Sequence, residues 1–189
     1  MPQRTWTTLE SPVGPLTAVS DDNVLSGLYL DDQRHRPDES RFGTHDATAF
    51  DAVREQLTAY FTGDLHIFDL PLTLTGTDFQ RRVWSVLQRI PYGETWSYGR
   101  VATELGQPSA SRAVGLANGR NPISIVVPCH RVIGSTGSLT GYGGGVHRKQ
   151  QLLDLERGPG SGALRVSLPV RSVGVTGTPS AVPRAPEPR

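Results

Sequence analysis

Cysteine and histidine stand side by side at positions 129 and 130, in the segment IVVPCHRVIG, and Cys129 is the only cysteine among 189 residues. A thiol with a pKa of about 8.5 is mostly protonated at pH 7, so a nucleophilic cysteine needs a base or a positive charge nearby. His130 is the nearest candidate for that base. Neighbours in an extended segment point to opposite sides, so a contact requires a bridging water or a bend, which Pro128 favours.

A lone cysteine also has simpler interpretations. It is often a buried structural residue. It cannot form an internal disulfide, and it excludes a zinc site built from several cysteines. The chain has no GxxxxGK[ST] motif, and GYGGG at 141–145 does not complete GxGxxG because Val146 occupies the last glycine position. We therefore expect neither a metal nor a nucleotide cofactor.

The charges are distributed unevenly along the chain. Residues 1–70 contain five Arg and twelve Asp or Glu, whereas residues 71–157 contain ten basic and five acidic residues. A basic second half suits a polyanionic partner. No apolar run approaches the ~20 residues of a membrane helix, and the first ten residues lack an apolar signal segment. We therefore expect a cytoplasmic protein with no membrane contact.

The elements that must position the thiol divide the chain into three parts. Residues 1–74 contain three β-favouring runs and one helical pattern that Gly63 ends, which predicts a small β-rich domain with a helix. Residues 31–46 are polar and predict a loop. Residues 75–157 predict a mainly helical domain, so the fold class is α+β. Residues 158–189, rich in Gly, Pro and Ser, predict a disordered tail.

Two short helices precede the cysteine segment. The first follows Ser97 and the second follows Ser109, both of which are expected N-caps, and GQP separates them. This arrangement predicts a helix-turn-helix that binds DNA. An earlier helix begins with a capping-box pattern, Thr77 and Gln80, and the last helix spans Val146 to Glu156.

The motifs PCHRV at 128–132, NP at 121–122 and GYGGG at 141–145 resemble those of the O6-alkylguanine-DNA alkyltransferases, the methylated-DNA–protein-cysteine methyltransferases. The resemblance covers residues 77–157. It implies that a thiolate takes the alkyl group from guanine O6 in one irreversible displacement, after the nucleotide has been flipped out of the duplex. The partner is then double-stranded DNA containing alkylated guanine, and we expect a monomer. The sequence leaves open the accepted alkyl groups, O4-alkylthymine as a substrate and cooperative binding to DNA.

The resemblance also assigns roles to five catalytic residues. Cys129 is the acceptor, His130 is a base that acts through a water, and Glu156 is the carboxylate that orients it. Asn121 ties the helix-turn-helix to the cysteine segment. Tyr98 donates a proton or hydrogen bond to the guanine leaving group.

Further residues are expected to meet the DNA or the lesion. Arg112 resembles a finger that fills the gap left by the flipped base, and the small Ala113 and Gly115 allow a close approach to a groove. Some family members have a serine where this chain has Gly143, which removes one hydrogen bond to the lesion. The remaining assignments are Tyr98 and Arg131 for DNA contact, and Tyr142, Gly143 and Val132 for the substrate pocket.

Two other functions compete with alkyl transfer. A Cys–His hydrolase would turn over and would need an oxyanion hole. A DNA-binding helix-turn-helix protein without repair activity would usually dimerise on a palindrome. A relative that senses lesions without repairing them would lack the acceptor, which Cys129 argues against.

Overall fold

A computed structural model describes residues 3–158. The predicted tail at 158–189 lies outside these residues, apart from Gly158. The described chain forms a β-rich part followed by a mainly helical part, which confirms the predicted α+β class. Within residues 3–158, none of the helices has the length and apolar character needed to cross a membrane.

The N-terminal part is built on a four-stranded sheet. Its strands are β1 Arg4–Leu9, β2 Leu16–Asp21, β3 Val24–Leu30 and β4 Thr44–His45, in the order β3-β2-β1-β4. Strands β1, β2 and β3 form an antiparallel meander, and β4 pairs parallel to β1. Asp22 and Asn23, which connect β2 to β3, both have left-handed backbone angles, as tight hairpin turns require.

Strand β4 lies within the segment that was expected to be a loop. A two-residue strand pairs through backbone atoms alone, so residue type gives little sign of it. Helix α1 follows, from Asp51 to Thr62, and it ends at Gly63 in the left-handed conformation, as predicted. Its buried face carries Val53, Leu57 and Tyr60.

Three helices open the second part: α2 Asp78–Leu87, α3 Tyr98–Glu104 and α4 Ser111–Gly119. Two of their three predicted starts are confirmed. Thr77 and Gln80 form the expected capping box of α2, and the hydroxyl of Ser97 caps α3. The predicted cap at Ser109 is wrong, because Pro108 begins a 3-10 turn and α4 starts only after it.

The cysteine segment threads between these helices and the sheet. Strands β5 (Trp96–Ser97) and β6 (Val132–Ile133) pair in parallel, and a 3-10 turn at Cys129–Arg131 directly precedes β6. The last helix, α5, covers Val146–Arg157. One continuous apolar core joins both parts of the chain, so the cysteine segment is held from two sides.

Candidate active site

Cys129 is buried at the start of the 3-10 turn, with 3% of its surface exposed. Residues 124–127, before Pro128, form turns, and the Cys129 N–H donates to the carbonyl of Val127 at 2.8 Å. Cys129 and His130 are therefore neighbours in a 3-10 turn and not in an extended segment, and a water-bridged contact between the thiol and the histidine stays a prediction. Burial raises the pKa of the thiol because the charged thiolate would lose its hydration.

The two largest effects that oppose that rise and stabilise the thiolate come from Asn121 and Lys149. The Nδ2 atom of Asn121 donates to the Cys129 sulfur at 3.0 Å, and the charge of Lys149 lies close enough to lower the pKa of the thiol. Asn121 also donates to the Val127 carbonyl at 2.8 Å, which fixes the amide. The asparagine therefore connects the end of the helix-turn-helix to the thiol.

His130 is completely buried and its Nε2 atom lies 2.8 Å from Oε1 of Glu156. The pKa of Glu156 is held at about 2, against 4.5 ordinarily: burial raises it, and hydrogen bonds and charges of His130 and Arg131 outweigh that effect. An ionised carboxylate accepts only, so Nε2 carries the proton. Burial lowers the pKa of His130, which favours the neutral ring. The Nδ1 atom is then a bare acceptor, and among residues 3–158 it has no hydrogen-bond partner.

Glu156 does more than orient the histidine. Its two oxygens also accept from the hydroxyl of Tyr60 at 2.8 Å and from the backbone N–H of Gly93 at 3.1 Å. Arg131 completes the set with two hydrogen bonds, at 2.8 and 2.9 Å. These donors offset the unfavourable position of a carboxylate at the C-terminal end of α5.

The expectation that Arg131 contacts DNA is wrong. Its side chain is buried, and besides its paired bonds to Glu156 it donates to the carbonyl of Ile90 at 2.6 Å. A guanidinium held by these bonds cannot reach a phosphate without breaking a buried ion pair. Arg131 therefore belongs to the internal network that fixes Glu156.

An open groove of about 600 Å³ lies near Cys129, and two tyrosines stand between the groove and the thiol. The helix-turn-helix forms one wall and the loop at 140–146 forms another. Two groove-lining tyrosines, Tyr98 and Tyr142, lie near enough to Cys129 for its charge to raise their pKa values, although burial is the larger cause. The residues that line the groove are Arg34, His35, Tyr98, Ser111, Arg112, Gly115, Leu116, Gly119, Thr140, Gly141, Tyr142, Gly143, Gly145 and Val146.

The two tyrosines differ in their hydrogen bonds. The Tyr98 hydroxyl donates to the carbonyl of Thr140 at 2.6 Å. The Tyr142 hydroxyl is buried and, within the described part of the chain, makes no well-formed hydrogen bond, although the Ser124 hydroxyl lies near enough to lower the pKa of Tyr142. A buried, unpaired hydroxyl is costly, so it is suited to a ligand that supplies a partner. Gly143 lines the same groove, and its carbonyl accepts from the backbone of Arg34 at 2.8 Å.

The other predicted contact residues occupy different depths. Arg112 is exposed on α4 and lines the groove. Gly115 lies one turn further on, where a Cβ atom would be 3.8 Å from the Tyr98 ring. Ala113 is exposed on the same helix but does not line the groove. Val132 is fully buried, so its place in the substrate pocket stays a prediction.

Sequence reasoning missed Lys149, although it is completely buried in α5. Its ammonium donates to the carbonyls of Val132 and Thr140, and burial lowers its pKa from 10.5 to about 8. The Thr140 carbonyl is thus shared by Lys149 and Tyr98. A lysine in the stretch VHRKQQLL gives no sign of burial by itself, because its partners lie on other segments.

The fold and the site together define a class of protein. A helix-turn-helix borders an open groove, and the chain's single thiol lies beside that groove with a histidine–carboxylate pair. This combination is typical of a DNA-binding protein that uses a cysteine nucleophile.

Comparison with known proteins gives the family. The model described as "6-O-methylguanine DNA methyltransferase, DNA binding domain" matches residues 78–158, and the one described as "6-O-methylguanine DNA methyltransferase, ribonuclease-like domain" matches residues 5–74. The chain therefore belongs to the 6-O-methylguanine DNA methyltransferase family.

Individual relatives are similar over most of their length. The methylated-DNA–protein-cysteine methyltransferase of Mycobacterium tuberculosis is 55% identical over 152 residues, covering 80% of this chain and 92% of the relative. That of Methanosarcina acetivorans is 47% identical over 147 residues, covering 78% and 94%. The crystal structure of Mycobacterium tuberculosis OGT in complex with DNA matches with a TM-score of 0.77 at 54% identity, covering 81% of this chain and 92% of that chain.

Proposed function

We propose that this protein repairs O6-alkylguanine in DNA by irreversible transfer of the alkyl group to Cys129. The observation that carries the proposal is the position of the only thiol. It accepts a hydrogen bond from Asn121, its neighbour in the chain is the His130 that pairs with Glu156, and it lies near a groove that the helix-turn-helix borders. Family membership and the DNA complex named for the mycobacterial relative support DNA as the partner. A cytoplasmic location belongs to the same proposal, since a reducing compartment keeps the thiol free.

The reaction is one displacement. The Cys129 thiolate attacks the alkyl carbon, a sulfur–carbon bond forms, and the bond between that carbon and guanine O6 breaks. Guanine leaves with the electron pair and takes up a proton. The resulting thioether has no route back to a thiol within this site, so each molecule acts once.

His130 removes the thiol proton in this scheme. Its Nε2 proton faces Glu156, and its bare Nδ1 atom accepts the proton from Cys129 through a bridging water. The imidazolium formed in this way faces an ionised carboxylate, which stabilises it. The depressed pKa of Glu156 keeps that carboxylate charged at neutral pH.

Tyr98 supplies the proton or hydrogen bond that the departing guanine needs. Its hydroxyl borders the groove near Cys129 and turns from the Thr140 carbonyl to the base. The unpaired hydroxyl of Tyr142 supplies a second contact to the base in the same pocket.

Helix α4 presents the duplex to this pocket. Arg112 fills the gap that the flipped nucleotide leaves, while the small Ala113 and Gly115 permit close approach without sequence readout. Base flipping is necessary because the target atom lies inside the duplex.

Titration of the protein against duplex DNA containing O6-methylguanine tests the proposal. We expect one methyl group lost from the DNA per protein molecule, and the mass of one methyl group added to the peptide that contains Cys129. Cys129→Ser is the matched control and should bind DNA without repairing it. Many methyl groups lost per molecule would indicate a hydrolase, and none would indicate a binding protein without repair activity.

A further inference from the structure

Gln33 is a buried polar residue of the N-terminal part that reaches into the cysteine segment. It lies in the turn after β3, and 7% of its surface is exposed. Its Oε1 atom accepts from the backbone N–H of Leu30 at 3.0 Å and from the Ser124 hydroxyl at 2.9 Å. Its Nε2 atom donates to the Asn121 carbonyl at 3.3 Å. One side chain therefore bonds to two residues that lie about 90 positions further along the chain.

One of those residues acts directly on the thiol. Asn121 donates its side-chain amide to the Cys129 sulfur at 3.0 Å. Ser124 donates its hydroxyl proton to Gln33, so it helps to fix the Gln33 side chain. Gln33 therefore helps to decide where the thiolate-stabilising amide of Asn121 lies.

The segment from Asn121 to Cys129 needs support from the N-terminal part. Ile125 has a left-handed backbone angle of +72°, which is strained for a β-branched residue. Strained backbone persists only where the surroundings hold it. Strand β3 contributes, since Leu28 donates to the Pro122 carbonyl at 2.8 Å and accepts from the Ser124 N–H at 2.9 Å. Gln33 extends this clamp to the residue whose side chain contacts the sulfur.

We propose that Gln33 is a positioning residue through which the N-terminal domain holds Asn121 against the Cys129 thiol. Its removal loosens the amide that stabilises the thiolate, and the thiol becomes harder to ionise. The inference deepens the proposed alkyl transfer and rests on it for the effect on repair, but the ionisation of the thiol can be measured without any repair.

The test uses Gln33→Met, which keeps an unbranched side chain of similar length and removes both polar groups. Because the chain has one cysteine, thiolate absorbance in the ultraviolet during a pH titration reports Cys129 alone once the same protein carrying Cys129→Ser is subtracted. We expect the midpoint to rise by about 0.5–1 pH unit, which corresponds to a roughly three- to tenfold smaller thiolate fraction at pH 7. Repair of O6-methylguanine duplex at pH 7 should slow by a similar factor.

Gln56→Met is the matched control. Gln56 makes the same kind of two-armed contact within the N-terminal part, donating to the Asp69 carbonyl at 2.7 Å and accepting from its N–H at 2.8 Å. Its removal should leave the thiolate midpoint unchanged. A control midpoint that moved as far as that of Gln33→Met would overturn the inference, since general loosening of the domain would then explain both.

A second variant, Ser124→Ala, guards against poor folding of Gln33→Met and tests the route of the effect. Ser124→Ala removes one of the bonds that fix Gln33, so alone it should raise the thiolate midpoint by less than Gln33→Met does. If Ser124 acts by holding Gln33, the shift of the double variant should be smaller than the sum of the single shifts. Additive shifts, or an unchanged or lower midpoint in Gln33→Met, would refute the inference. A shifted midpoint in a protein that repairs no DNA would instead refute the proposed function and leave Gln33 as a positioning residue for the thiol.

Discussion

Replacement of Glu156 by glutamine tests the centre of the buried network. The substitution keeps the shape of the side chain and removes its charge. It leaves the buried Arg131 without an ionised partner. It also places an amide NH2 group, which is a donor, where a carboxylate oxygen accepts hydrogen bonds in the wild type. His130 loses the anion that fixes its Nε2 proton. Both stability and chemistry should therefore change.

The expected loss of stability follows from the pKa of the carboxyl group. Its folded value is about 2 and its ordinary value is 4.5, and at about 1.4 kcal/mol per pH unit the difference amounts to roughly 3 kcal/mol at pH 7. Breaking a buried ion pair typically costs about 3–5 kcal/mol, which agrees. For a protein of this size, a loss of 3 kcal/mol lowers the Tm by roughly 6–12 °C.

The sign of the pH dependence is also fixed. A carboxyl group whose folded pKa is depressed contributes stability above its unfolded pKa and loses that contribution as the pH falls towards the folded value. The contribution of Glu156 should fall from roughly 3 kcal/mol at pH 7 to about half of that at pH 3. The Tm difference between the wild type and Glu156→Gln should therefore shrink by about half over this range.

Thermal unfolding from pH 7 to pH 3 measures this difference. Asp154→Asn is the matched control, because Asp154 is a partly exposed carboxylate on the same helix. It accepts a hydrogen bond from Gln150 and lies 3.9 Å from the Arg157 guanidinium. It should change the Tm by only a degree or two. A Tm difference for Glu156→Gln that is equally large at pH 7 and pH 3 would refute the electrostatic account.

The chemical effect of the same substitution is measured well below its Tm. Repair of duplex O6-methylguanine at pH 7 should slow by about 10- to 100-fold, since a general base contributes that much or more, and the apparent pKa of Cys129 should rise. DNA binding should change little, because Glu156 is buried. Wild-type repair with an unmoved pH profile would show that Glu156 only stabilises the fold.

Three further outcomes are expected. Tyr98→Phe should slow repair by about tenfold at pH 7, with little change in DNA affinity, as measured by single-turnover kinetics beside a binding titration; equal losses in both would contradict the leaving-group role. The wild type should become more stable between pH 8 and pH 10, because Lys149, whose folded pKa is lowered to about 8, destabilises the fold most while it is charged. Lys149→Met should remove this rise, as measured by the Tm at each pH. An unchanged slope of Tm against pH would contradict burial of the charge. Arg112→Ala should slow repair of duplex DNA more than it weakens binding to undamaged DNA, whereas Arg54→Ala, on the distant helix α1, should change neither.

Local sequence patterns predicted the parts of the fold that are decided locally. The capping box at Thr77 and Gln80, the cap at Ser97 and the end of α1 at Gly63 each involve residues within one helical turn, and all three are confirmed. The cap at Ser109 failed because Pro108 favoured a 3-10 turn over an immediate start of the helix. Even local chemistry misleads when two local preferences compete.

Partners that are distant in sequence were the main source of error. Arg131 was expected at the DNA because a basic residue after the histidine gives no sign that a carboxylate 25 positions later will bind it. Lys149 and Gln33 were missed for the same reason, since both bond to groups on other segments. The motif itself placed Cys129 among residues typical of the family, but only the folded chain shows which donors reach the sulfur.

The burial of the thiol also fits the proposal that the protein is consumed by its reaction. A sulfur that reacts once must not be spent on other electrophiles, and Cys129 is shielded because it is buried and its pKa is raised in the free protein. The same burial would make it unreactive towards a lesion if nothing compensated. Asn121 and Lys149 oppose the rise in pKa, and His130 offers a bare ring nitrogen to accept the proton during attack. We therefore expect reactivity to arise when a flipped base occupies the groove, where proton loss from sulfur can be coupled to departure of the guanine.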